Sequence, residues 1–203
     1  MHPVARRAGK WTAELLLVFI GAYAAFWLNS YQERQRDAQR RDAILASLEQ
    51  DVRESIANSH DRAESIGKAA ASFRGRVDAG EMPELGPFAF TTDYSPTDVA
   101  TLLQSGGSEL LDPKTLIALR KLEWSLRAGV ADMAHYEKLS DQLIVPNVEQ
   151  GRDFFYDPVT RKLRKRFEKY PEWIAEAATF FANLEKLETE LLKQIEMERQ
   201  KNK

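Results

Sequence analysis

Three histidines, His2, His60 and His135, and one serine–glycine run are the residues from which this chain could build chemistry. Asp132-x-x-His135 places a carboxylate and an imidazole one helical turn apart, the spacing with which helical bundles hold paired metal ions. Such a centre needs a second copy of the motif and further inward carboxylates, and the sequence has no second copy. His60 and Glu64 are i,i+4 neighbours, but Asp61 and Arg62 between them mark a solvated face. Ser105-Gly106-Gly107-Ser108 has the small residues of a nucleophile turn or a phosphate loop. Leu103, however, stands where a G-x-S-x-G elbow needs glycine, and no Gly-Lys-Ser/Thr follows. The run reads as a glycine stop between two helices. Cysteine is absent, which excludes thiolate zinc sites, disulfides and cysteine nucleophiles together. Carboxylates are plentiful, and none stands out as buried. The sequence therefore assigns no catalytic residue, cofactor, metal ligand or small-molecule substrate, and an enzyme is not expected.

The balance of charge narrows the partners. Against 29 basic residues stand 31 acidic ones, a net charge of −2, so no overall field draws the chain to nucleic acid. At 203 residues and 43% hydrophobic content, the chain is long and apolar enough for one folded domain. Glycine and proline number only 10 and 8, which permits long uninterrupted helices.

From Trp11 to Leu28 the residues are nearly all apolar, about the length a helix needs to cross a bilayer core of roughly 30 Å. Trp11 marks one end, and Phe26, Trp27 and Tyr31 the other, where aromatic rings favour the headgroup level. A cleaved signal peptide competes, with Arg6, Arg7 and Lys10 ahead of the run and Ala22-Tyr23-Ala24 as a cleavage-like site. Glu14 interrupts that reading and bulky Phe26-Trp27 follow the site, so the segment is expected to be retained. Glu14, Val18, Gly21, Ala25 and Asn29 share one face of the helix. Gly21-x-x-x-Ala25 allows close backbone approach, and a carboxylate at the edge of hydrocarbon faces protein more often than lipid. This stripe is the expected transmembrane packing face. Four arginines, Arg34, Arg36, Arg40 and Arg41, follow the span and oppose the basic tail in the positive-inside count. The reading taken is a cytoplasmic N-terminus with the helical domain in the periplasm of a bacterial inner-membrane protein.

The expected organisation is a basic tail over 1–10, a transmembrane helix over 11–29, a charged helical neck over 30–43, and a soluble bundle over 44–203. In the bundle, Ile44, Leu48, Val52 and Ile56, then Ala63, Ile66, Ala70, Phe73 and Val77, recur at helical spacing. Pro83, Gly86, Pro87 and Pro96 mark a looping connection, and residues 97–104 read as a short helix. Asp112-Pro113 offers an N-cap with proline in the first turn. Leu116, Leu119, Leu126, Val130 and Met133 continue a stripe toward Ile144. After Tyr170-Pro171, a third stripe runs through Trp173, Ala177, Phe180, Leu184, Leu187, Leu191 and Ile195. The fold class is thus all-α: one N-terminal transmembrane helix continuing into a bundle of three long helices and one short helix, coiled-coil-like in pattern.

Glu14-x-x-Leu17-Val18-x-x-Gly21, Asn29-x-Tyr31-x-Glu33-Arg34 and Leu103-x-Ser105-Gly106-Gly107 resemble the recurring marks of uncharacterised bacterial single-span helical membrane proteins, grouped as a domain of unknown function. That resemblance implies the same architecture and a retained span, and it supplies no activity. One charge run stands apart: Arg161, Lys162, Arg164, Lys165, Arg166 and Lys169 form a candidate patch for an anionic partner. Just upstream, Phe154-Phe155-Tyr156 are expected to pack onto the bundle. The expected function is a membrane-anchored helical interaction protein, a homo-oligomer or an accessory subunit of a cell-envelope complex. The alternative is an exported ligand-sensing bundle that signals through a partner protein. The expected partners are the lipid bilayer and other membrane subunits or copies of the chain.

Overall fold

A computed structural model describes the backbone of residues 3–90 and 107–201, with side chains from Leu16 onward. Helix α1 runs Pro3–Asp78, α2 Pro113–Leu143, α3 is the single turn Arg152–Phe155, and α4 runs Tyr170–Lys201. Short 3-10 turns occupy Gly107–Leu110, Val145–Gln150 and Lys165–Phe167. Among the described residues there is no strand, only an isolated antiparallel bridge between Tyr156 and Leu163. The protein is all-α and its three long helices are those read from periodicity. The short helix expected over 97–104 lies outside the described residues.

The chain divides into two compact units, residues 1–44 and residues 45–203. In the first unit, every large apolar side chain described from Leu16 to Tyr31 is exposed. The span expected over 11–29 is not supplied by the described residues, among which no helix is long and apolar enough to cross a membrane. Within the described side chains the apolar stretch covers Leu16 to Leu28, and Asn29, Ser30, Gln32 and Glu33 close it.

In the second unit, α4 runs antiparallel to both of its neighbours. On the α1 side, Arg199 pairs with Glu49, Arg53 with Glu196, and His60 Nδ1 lies 3.2 Å from Glu185 Oε1. On the α2 side, Lys201 Nζ meets Asp112 Oδ2 at 2.9 Å, Lys121 Nζ meets Glu190 at 3.0 Å, and the Tyr136 hydroxyl donates to Glu176. The α1 and α2 segments therefore run parallel, joined by the long return through residues 79–112. Leu45, Val52, Leu119, Leu122, Leu126, Leu184, Leu191 and Ile195 form the bundle core, each at most 2% exposed. Among the positions that differ from the sequence reading, Leu45 is buried where Ile44 is half-buried, and Leu122 joins the α2 stripe. Steps of four from Ile44 through Leu48 to Val52 overrun the 3.6-residue turn, whereas Leu45 lies about two turns before Val52. Leu122 falls at the ordinary spacing, three residues after Leu119 and four before Leu126.

Where α1 ends, the connections close the bundle with a second core. Leu85, Ile144, Phe155, Tyr156, Phe167, Tyr170 and Trp173 are buried together, with Phe73, Phe88 and Tyr136 packed against them. Phe155 and Tyr156 thus pack as the sequence indicated. The irregular backbone at 81–90 carries carbonyls that need donors, and tyrosines supply them. Tyr156 donates to Pro83 O at 2.7 Å and Tyr170 to Gly86 O at 2.8 Å, while Ser140 Oγ accepts from the Phe88 N–H at 2.7 Å. Burial pushes the Tyr156 hydroxyl up to about 12. Tyr156→Phe leaves a buried carbonyl without its donor, and the expected loss is about 1–2 kcal/mol of stability, read from the unfolding midpoint.

The start of α2 departs from the expected cap. Asp112 stands at the N-cap position ahead of Pro113, but its side chain makes no capping bond. Its carboxylate takes Lys201 instead, and Glu198 Oε1 accepts the Asp112 N–H at 3.0 Å. Helix α4 therefore pins the beginning of α2.

Candidate functional site

The expected transmembrane packing face belongs to the first unit. Val18 is 70% exposed, Ala25 and Asn29 are exposed, and a Cβ added at Gly21 would meet nothing within 4 Å. The side chain of Glu14 lies outside the described residues. Asn29 Nδ2 donates to Glu33 Oε1 at 3.4 Å, so its amide is held along the helix. Leu16, Leu17, Val18, Phe19 and Ile20 are consecutive and each at least 61% exposed. Five successive residues turn through more than one full revolution, so the apolar surface surrounds the helix. Trp27 and Tyr31 stack at 6.0 Å at the polar end of this stretch.

The six cations of the 161–169 run are placed differently from one another. Arg164 donates from Nε to Tyr156 O and from Nη2 to Asp153 O, both at 3.0 Å. The Arg166 guanidinium lies 4.3 Å from the Phe154 ring centroid and 4.6 Å from that of Phe167, a stacked cation–π contact. These two arginines hold the closing core together. Lys169 lies 3.4 Å from Glu172. Arg161 takes a positive φ of 57° in a turn organised by Asp157. There Asp157 Oδ1 accepts the N–H groups of Thr160 and Val159, which hold its carboxyl below the usual range. Lys162 lines an open cleft of about 420 Å³ with Arg74, Asp78, Glu168 and Glu172. Lys165 is exposed. The run thus divides between structural arginines and solvent-facing lysines.

Among the described residues no group of three or more His, Asp or Glu gathers as metal ligands would. His60 faces Glu185 across the α1–α4 seam, and His135 is exposed beside the Tyr136 ring. Ser105 and Gly106 lie outside the described residues, and Gly107 and Ser108 begin a 3-10 turn.

Sequence reasoning found no buried carboxylate, and here the structure corrects it. Glu188 is fully buried and Glu198 is 1% exposed. Ser55 Oγ donates to Glu188 Oε1 at 2.5 Å, and Glu188 Oε2 is buried without a hydrogen-bond partner. Burial raises the Glu188 carboxyl above the usual range, against bonds from Ser55 and Ser59 that lower it, with the Glu185 charge adding to the rise. A signal was present: Glu188 follows Leu184 by four residues and precedes Leu191 by three, so it sits on the apolar stripe. Serines at 55 and 59 occupy the matching stripe of α1.

No protein-family model matches this sequence. Neither a curated protein nor a solved structure is detectably similar to it.

Proposed function

We propose that this chain is a membrane-anchored helical interaction protein that assembles with copies of itself or serves as an accessory subunit of a cell-envelope complex. The observation that carries the proposal is the apolar surface around the first unit. Leu16, Leu17, Val18, Phe19, Ile20, Tyr23, Phe26, Trp27, Leu28 and Tyr31 are each at least 48% exposed. Leaving such side chains in water forgoes about 1.5–3 kcal/mol apiece, so lipid or partner helices are needed to cover them. With Trp11 to Leu15 added from the sequence, the apolar run reaches the length of a single span, with aromatic residues at both ends. A cytoplasmic N-terminus and a periplasmic bundle belong to this proposal, as does the likeness to single-span helical membrane proteins. The described residues of the bundle offer long helix faces, which suit contact with other chains.

Purifying the full chain in mild detergent, with mass-resolved size and identification of co-purifying chains, tests the interaction role. A defined homo-oligomer or a reproducible foreign subunit is the expected result; a lone monomer would overturn it. The packing face gives a sharper prediction. The chain has no cysteine, so Gly21→Cys and Ala25→Cys introduce single reporters. Both are expected to crosslink to a protein in membranes, and Phe19→Cys, off that stripe, much less. Failure of both to crosslink removes the packing face from the account.

A further inference from the structure

The outward face of α2 differs from an ordinary solvated surface. Ile117 and Trp124 are 65% and 71% exposed, and Arg120, Arg127, Ala128, Ala131, His135 and Lys138 share their face, all exposed. Not one of these positions is acidic, although the chain as a whole carries slightly more acidic than basic residues. On α1, the outward stripe Gln50, Glu54, Ala57 and Asp61 is also exposed and carries only negative charge. Both sets recur at steps of three and four, so each forms one continuous strip along its helix.

The two strips lie at matching heights. On α4, Arg53 meets Glu196 and His60 meets Glu185, while Lys121 meets Glu190 between them. Because α1 and α2 run parallel, these contacts put Lys121 level with Ala57. Arg120, Trp124 and Arg127 thus sit about 3–5 Å further along the axis than Glu54, Ala57 and Asp61, each within about one turn of 5.4 Å. We propose that the Ile117–Trp124 face of α2 docks on the Gln50–Asp61 strip of a second copy of this chain, the two bundles standing parallel about a two-fold axis. This deepens, and rests on, the self-assembling form of the proposed function.

A two-fold axis along the bundles keeps equal heights opposite each other. Each copy then gives its α2 face and receives its partner's on α1, so one surface is used twice. Arginine reaches acid at two levels, and the Trp124 ring lies over the small Ala57 between them. Face-to-face contact of α2 with α2 would oppose basic strips and is disfavoured. The Arg127–Glu123 contact at 2.8 Å is an exposed intrahelical pair of the kind that contributes little, so docking can exchange it. Two copies anchored by the same N-terminal segment in one membrane share an orientation, which the parallel arrangement requires.

The test is a charge swap in the full chain, read by light scattering in mild detergent and by membrane fractionation. Arg120→Glu with Arg127→Glu is expected to weaken self-association at least about tenfold by placing like charges together. Adding Glu54→Arg and Asp61→Arg to the same chain is expected to restore it, a rescue that damage to the fold would not give. In a mixture, a tagged Ala57→Cys chain and a differently tagged Ala128→Cys chain should join through a short bismaleimide, and each alone much less. An oligomer indifferent to the reversal, or a monomer throughout, overturns this interface while leaving the anchor standing. Reversal that alters only retention on anionic vesicles, without change of mass, also overturns it in favour of a lipid contact. A chain that does not fractionate with membranes fails the underlying reading instead.

Discussion

Gly129→Ala is expected to destabilise the bundle by about 2–3 kcal/mol, even though alanine is the better helix former by about 1 kcal/mol. A Cβ at this position would lie 1.9 Å from Phe180 Cε2 and 2.1 Å from Cδ2. Those are atoms of a rigid ring, not the end of a flexible chain. Phe180 is 9% exposed, and its ring packs edge-on to Phe181 at 5.3 Å and to Phe90 at 5.7 Å, which restricts its escape. Packing therefore outweighs propensity. Denaturant unfolding in detergent, followed by helical circular dichroism, reads the loss. Phe180→Leu in the Gly129→Ala background should recover part of it, because the shortened side chain vacates the overlap. A Gly129→Ala chain as stable as the parent would mean that α2 and α4 do not approach as described.

The second large effect concerns Glu188. Its carboxyl is raised by burial, so the folded chain binds this proton more tightly than the unfolded chain does. The sign follows directly: stability is highest below the unfolded value near 4.5 and falls as pH rises through the raised folded value. Above that window the core holds either a charge or a proton taken up against the solvent pH. Glu188→Gln removes the titration while keeping a polar partner for Ser55 and Ser59. The variant should show a flatter dependence on pH and gain on the parent as pH rises above the ordinary carboxyl value near 4.5. Glu188→Lys, which leaves a cation in the same apolar surroundings, should cost about 3 kcal/mol or more. Identical pH profiles for the parent and Glu188→Gln would show that this carboxyl does not titrate with folding.

How far the sequence foretold the fold depends on which residues spoke for it. The helices were legible because apolar residues at three-and-four spacing leave no other way to bury one face, and α2 and α4 begin at the prolines that marked them. Leu45 was missed because steps of four from Ile44 drift against the helical turn, whereas Leu122, three residues after Leu119 and four before Leu126, lies on the legible stripe. Glu188 was missed for a different reason. Charge argues for solvent, and only the serines of α1, remote in sequence, make its burial tolerable. Gly129 carried a readable hint, since a glycine inside a long helix weakens it and so needs a packing reason. The partner ring at Phe180 could not be named without the alignment of α2 with α4. The cations of 161–169 looked like one patch because sequence shows charge and not geometry. The turn at Asp157 and the rings of Phe154 and Phe167 then sent Arg164 and Arg166 to structural work.

The strips on α1 and α2 show the same limit from the other side. Each is visible as a pattern, but their matching heights follow only from the contacts both helices make with α4.

Alkaline carbonate extraction of membranes from cells expressing the full chain tests most directly the proposed anchoring of residues 11–28 in lipid. The protein is expected to stay in the pellet through carbonate and high salt and to be released only by detergent. Recovery in the carbonate supernatant would contradict it, and would leave the exposed surface from Leu16 to Tyr31 to be covered by protein partners alone.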